Sequence, residues 1–171
     1  PLLIIAMPVL IVALIDLWIV SAGRFAHWPE YTALYDMLAD AFRHGQTSLL
    51  IEPRPELLAL KNPYDAKANR DLRLHDAVLF RGKYYLYWGP LPALLVVAVK
   101  TIAPGVGVVG DQHLGYFFSV TELLASVALL RFVWRKWFAD ATWWTVSVMV
   151  LLAGLATPMP FLLARASAYE V

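Results

Sequence analysis

Three groups of side chains in this sequence could do chemistry, and each also has a plain structural role. Tyr31, Leu34, Tyr35, Leu38 and Phe42 recur at helical spacing, so residues 31–44 are expected to form an amphipathic helix that Gly45 stops. Asp36 and Asp40 project away from that apolar stripe, either as carboxylates that could take a proton from a substrate or as the solvated face of the helix. Tyr84, Tyr85, Tyr87 and Trp88 cluster next, either as an interfacial aromatic belt or as a wall for a sugar or an isoprenoid. Asp16 and Glu122 stand inside apolar stretches, where a carboxylate costs a few kcal/mol or more on insertion scales. Such acids are neutral, paired, near an interface, or part of a proton or ion path.

Other chemistries are excluded or unsupported. The chain has no cysteine, which removes disulfides, thiolate catalysis and cysteine-based metal sites. His27, His44, His75 and His113 lack metal-ligand spacing. A net charge of +1, with no phosphate loop and no nucleic-acid motif, gives no reason to expect a nucleic-acid partner.

The elements that position these groups belong to a membrane protein. Hydrophobic residues make up 60% of the chain, charged residues 16%, and the mean hydropathy is +0.61. A soluble domain carries about 25% charged residues. Residues 2–15, 114–130 and 143–163 are nearly free of charge, and each approaches the roughly 20 residues needed to cross a bilayer. The expected fold is mainly α and polytopic: about three transmembrane helices and an extracytoplasmic loop module with amphipathic or interfacial helices and a short β-hairpin.

The boundaries are a first transmembrane helix over 1–22, the loop module over 23–89, an interfacial or re-entrant helix over 90–104, further spans over 113–136 and 141–164, and the start of another outer loop over 165–171. The first apolar run is too long for an ordinary signal peptide and lacks a basic leader, so it is expected to be retained. With no initial Met, and with Val171 one residue past an acid, the chain reads as a fragment of a larger protein.

Within the loop, the prolines around Arg54 favour an extended stretch, and Asn62-Pro63-Tyr64-Asp65 favours a turn. Residues 77–80 and 83–87 flank Arg81-Gly82 and are expected to pair as a hairpin. The stretch 91–103 is short, carries Lys100 and begins among prolines, which suits an interfacial helix better than a span. Arg131, Arg135 and Lys136 then fall in a short basic turn that the positive-inside rule places in the cytoplasm.

At residues 31–45 and 84–93 the chain resembles the bacterial membrane glycosyltransferases of the GT-C fold, family-39-like relatives of the protein O-mannosyltransferases and aminoarabinose transferases. Tyr35, Ala39 and Gly45 take places in that family's first outer loop, and Tyr87-Trp88-Gly89-Pro90-Leu91-Pro92 resembles its interfacial element. The basic turn over 131–136 and the pair Arg165 and Glu170 fit its later pattern. The family's first-loop catalytic Asp would fall near Tyr31, so the role passes to Asp36 or Glu30.

The resemblance implies transfer of a sugar from a polyprenyl-phosphate donor to an extracytoplasmic acceptor in the bacterial inner membrane. Asp36 or Glu30 would be the base, and Glu170 a second acid that positions the acceptor or binds a metal. Arg43 or Arg165 would meet the departing phosphate, and Tyr84, Tyr85, Tyr87 and Trp88 would bind substrate. No cofactor is implied with certainty beyond a divalent metal as one option. The competing functions are a catalytically inactive scaffold of the same fold, and a transporter using Asp16 and Glu122.

The native absence of cysteine makes the topology directly testable. A single cysteine at position 136 is expected to resist a membrane-impermeant thiol reagent in intact cells, while one in the 31–87 loop reacts; labelling at 136 would overturn the orientation.

Overall fold

The structure, a computed structural model, describes residues 2–30 and 32–165, with side chains from residue 5 onward. Tyr31 and Glu170 lie outside the described residues. The fold is mainly helical with one two-stranded antiparallel sheet. The chain divides into two compact units, Pro1–Thr32 with Gly110–Val171, and Ala33–Val109.

The first unit packs α1 (Leu2–Val20), α5 (Asp111–Trp137), α6 (Trp143–Leu155) and α7 (Met159–Leu163) against one another. Among the described residues, only α5, with 27 residues, is long and apolar enough to cross a membrane by length and composition. At 1.5 Å per residue it extends about 40 Å. The apolar run over 143–163 is not one continuous helix. It breaks after Leu155, because Pro158 and Pro160 offer no N–H to a continuing ladder and Pro158 biases Thr157 away from helix. The Thr157 hydroxyl restarts the chain by accepting the Met159 N–H at 3.4 Å.

Close approach of α1 and α6 depends on Gly154. A Cβ at this position would lie 2.4 Å from Cγ1 and 2.8 Å from Cγ2 of Val12, a fully buried side chain on a stiff β-branched stem. Toward the other end, Val20 and Leu163 pack with Leu17, Trp28, Tyr116 and Met159. Many apolar side chains of this unit point outward, among them Met7, Leu10, Phe117, Leu129 and Trp144.

The second unit is built from α2 (Leu34–Arg43), the single-turn α3 (Pro55–Leu58), β1 (Val78–Phe80), β2 (Lys83–Tyr85) and α4 (Leu91–Ile102). Helix α2 starts at Leu34, three residues later than the apolar spacing suggests, behind an Ala33 that supplies no side-chain cap. Its end follows the expectation. Gly45 takes φ +73°, its N–H reaches the Phe42 carbonyl and that of Gln46 reaches Ala41, which closes the helix with a left-handed residue.

The hairpin pairs Val78 with Tyr85, Leu79 with Tyr84 and Phe80 with Lys83. Arg81 and Gly82 both adopt positive φ, 49° and 75°, as a two-residue turn matched to the twist of the strands requires. Helix α4 packs on α2.

Replacing Gly154 by Ala is expected to lower stability by about 1–3 kcal/mol, the usual cost of overpacking. Melting in detergent micelles reads the loss, and adding Val12→Ala in the same chain should recover part of it. An unchanged melting temperature for Gly154→Ala would contradict the close approach.

Candidate functional site

The most tightly organised polar cluster lies between α2 and α4. Lys100 sits in an otherwise apolar helix with its side chain 8% exposed, and its Nζ is 2.8 Å from Asp36 Oδ1 and 2.9 Å from Asp40 Oδ1. Asp36, itself 6% exposed at the side chain, also accepts the Val109 N–H at 2.9 Å through the same oxygen. Asp40 meets Arg43 at 3.6 Å as well, one turn along the helix. The cluster thus joins the start of α2, the end of α4 and the chain that follows α4.

This corrects the expectation that Asp36 faces water. Burial covers Leu34, Tyr35, Asp36, Leu38, Ala39 and Ala41, far more of the helix circumference than a narrow stripe. The physical reason is Lys100, whose ammonium makes the interior acceptable to a carboxylate. Burial alone would push the Lys100 ammonium toward deprotonation, but its hydrogen bonds and charge attraction to Asp36 and Asp40 outweigh that. Its pKa is raised above the ordinary 10.5. Its share of stability is therefore complete below pH 10.5 and is lost only as pH rises through the raised value.

The aromatic group divides into separate roles. Tyr84 is buried, its hydroxyl accepts the Leu74 N–H at 3.0 Å and its carbonyl accepts the Leu49 N–H at 2.8 Å, so it staples two loops to the hairpin. Tyr85 meets Phe80 across the strands edge to face. Tyr87 and Trp88 lie against each other at 4.7 Å, with Tyr35 6.2 Å beyond Trp88. Of the four, Tyr84 is buried, Tyr85 and Trp88 are half-buried and Tyr87 is exposed.

Beside the hairpin turn the same unit has a groove of about 360 Å³ whose wall includes Glu52, Lys83, Gln46, Ser48 and Leu50. Glu52 and Lys83 are exposed, and Gln46 is fixed by donating its amide to the Ser48 carbonyl at 3.0 Å. One acid, one ammonium and one amide on a partly apolar wall can hold a polyhydroxylated or phosphorylated ligand. Sequence spacing did not find this groove, since its walls come from the loop over 46–53, the end of α3 and the hairpin turn. Lys100 was also missed as a functional partner, although a lone charge in an apolar helix is itself a sign that an acid waits elsewhere.

Of the remaining site candidates, Glu30 and Arg165 are exposed and belong to the helical unit, while Arg43 is exposed in the loop unit beside Asp40. Asp16 and Glu122 line a common small cavity in the helical unit. Among the described residues no group of three or more His, Cys, Asp or Glu side chains is placed to hold a metal ion. No family model matches the chain, and no curated protein or solved structure matches it. The resemblance to the GT-C transferases rests on the residues quoted for it.

Removing one partner of the buried cluster leaves a charge without an answer. Lys100→Met is expected to destabilise the loop unit by about 3–5 kcal/mol, whereas Arg43→Ala costs under about 1 kcal/mol because that pair is exposed. Asp36→Asn is likewise expected to reduce stability, unlike a change on a water-facing helix. Hydrogen exchange over residues 34–43 reads all three, and equal protection in wild type and Lys100→Met would contradict the assignment.

Proposed function

We propose that this chain is the N-terminal part of an integral membrane glycosyltransferase of the GT-C type, moving a sugar from a polyprenyl-phosphate donor to an acceptor on the extracytoplasmic side of a bacterial inner membrane. The observation that carries this reading is the groove with Glu52, Lys83 and Gln46 on its wall. Its size falls in the range of small-molecule sites, roughly 300–1,000 Å³. In this reading Glu52 and Gln46 bind sugar hydroxyls, Lys83 meets the phosphate, and Leu50 faces the first isoprenoid unit. Helices α1, α5 and the α6–α7 pair serve as three spans, and α4 lies at the interface.

The resemblance leaves the role of base to Asp36 or Glu30, and this reading passes it to Glu30 on the exposure of the two residues alone. Asp36 is committed through Oδ1 to Lys100 and the Val109 N–H with a side chain only 6% exposed, whereas Glu30 is exposed. Glu170 and Arg165 keep the roles that the resemblance gives them, a second acid and a phosphate contact, with a divalent metal as the alternative partner of the phosphate. A second reading, a scaffold that keeps the fold without the chemistry, is favoured by the same commitment of Asp36.

Membranes containing the protein should transfer sugar from at least one member of a panel of polyprenyl-phosphate sugars. Glu30→Gln is expected to lower turnover about 10²–10⁴-fold, as loss of a general base does. Lys83→Ala should chiefly raise KM, with melting unchanged in both variants. Full activity in Glu30→Gln would remove Glu30 as the base, and a wild-type protein inert toward the whole panel would leave the scaffold.

A further inference from the structure

Asp16 is the least expected group in the helical unit. It is 1% exposed, its Oδ2 accepts the Ser119 hydroxyl at 2.6 Å, and its Oδ1 has no hydrogen-bond partner among the described residues. It lines a cavity of about 10 Å³ together with Ser119, Glu122 and Thr157. That is room for about one sphere the size of a water molecule. Among the described residues, the polar side chains of the wall all offer oxygens, two carboxylates and two hydroxyls, and no Lys, Arg or His lines it.

A second observation points the same way. Helix α6 ends at this wall, with Gly154 and Thr157 both lining the cavity. The Thr157 hydroxyl donates to the Gly154 carbonyl at 3.5 Å, and the chain then breaks before α7. The C-terminal end of a helix carries partial negative charge from carbonyls that lack intrahelical donors. An acid, a second acid and a helix C-terminus thus converge with no cation among them.

We propose that this cavity binds one small monovalent cation of the sodium class, through Asp16 Oδ1 and the oxygens of Ser119, Thr157 and Glu122. A proton on Asp16 Oδ2 could be donated to the Ser119 Oγ and would cancel the charge, but it leaves the Oδ1 lone pairs without a partner among the described residues. A cation answers the charge and the unused lone pairs together. One charge suffices, since Asp16 is buried whereas Glu122 is exposed. The site is independent of the transferase reading, since it lies wholly within the helical unit.

The test is thermal unfolding of the full chain in detergent micelles, followed by tryptophan fluorescence, at fixed ionic strength with sodium chloride exchanged for choline chloride. Sodium is expected to raise the melting temperature saturably, on the order of 5 °C when it exceeds its Kd by a hundredfold. Asp16→Asn should abolish the response, and in choline this variant should melt no lower than wild type. Wild-type melting indifferent to sodium overturns the proposal without any variant. So does a sodium shift of equal size in Asp16→Asn, and so does melting that follows pH alone, which would make a proton the occupant.

Discussion

A lysine ammonium buried between two helices is tolerated only where its charge is answered on the spot, and the loop unit is arranged around that requirement at Lys100. Two carboxylates one turn apart on α2 face it, and one of them also takes the Val109 N–H. Desolvating Lys100 and Asp36 costs several kcal/mol per ion, and only close geometry repays it, while Asp40 stays partly exposed. The arrangement fixes the register of α4 on α2 more firmly than apolar contact would, because sliding either helix by a turn would strand a charge. With that register set, Tyr35 falls beside Trp88 and the start of α4 is placed next to the aromatic end of the loop.

The helical unit obeys a different constraint. Apart from Asp16 on α1 and Thr145 and Ser147 on α6, the side chains of these two helices are apolar, so no broad polar face marks which side turns outward. Packing follows shape, above all Gly154 against Val12, and apolar surface at Met7, Leu10, Phe117 and Trp144 stays exposed. A break after Leu155 in such a setting is tolerable where neighbouring groups take up the freed backbone, as Thr157 does.

Local features were legible in the sequence. Gly45 marked the end of α2, and Arg81-Gly82 between two aromatic-rich runs marked the hairpin, because both depend on backbone chemistry within a few residues. The partnership of Lys100 with Asp36 was not legible, since the helical wheel shows which way a charge points but not what stands opposite. The interruption at Thr157 was written in Pro158 and Pro160, yet the unbroken apolarity of 143–163 argued for one span. The groove at Glu52 and Lys83 escaped because its residues acquire a common surface only after the loop has closed.

That closure sets an order of events in folding. A two-stranded hairpin alone is marginal in water, and this one has an unfavourable left-handed Arg81 in its turn. Its stay is Tyr84, held by the Leu49 amide on one side and the Leu74 amide on the other. Loop closure from Leu49 is entropically dearer than the local turn and must come before the strands gain their full protection. The hairpin should therefore be among the last parts of the loop unit to become resistant to proteolysis during folding, even though its residues are the nearest neighbours in sequence.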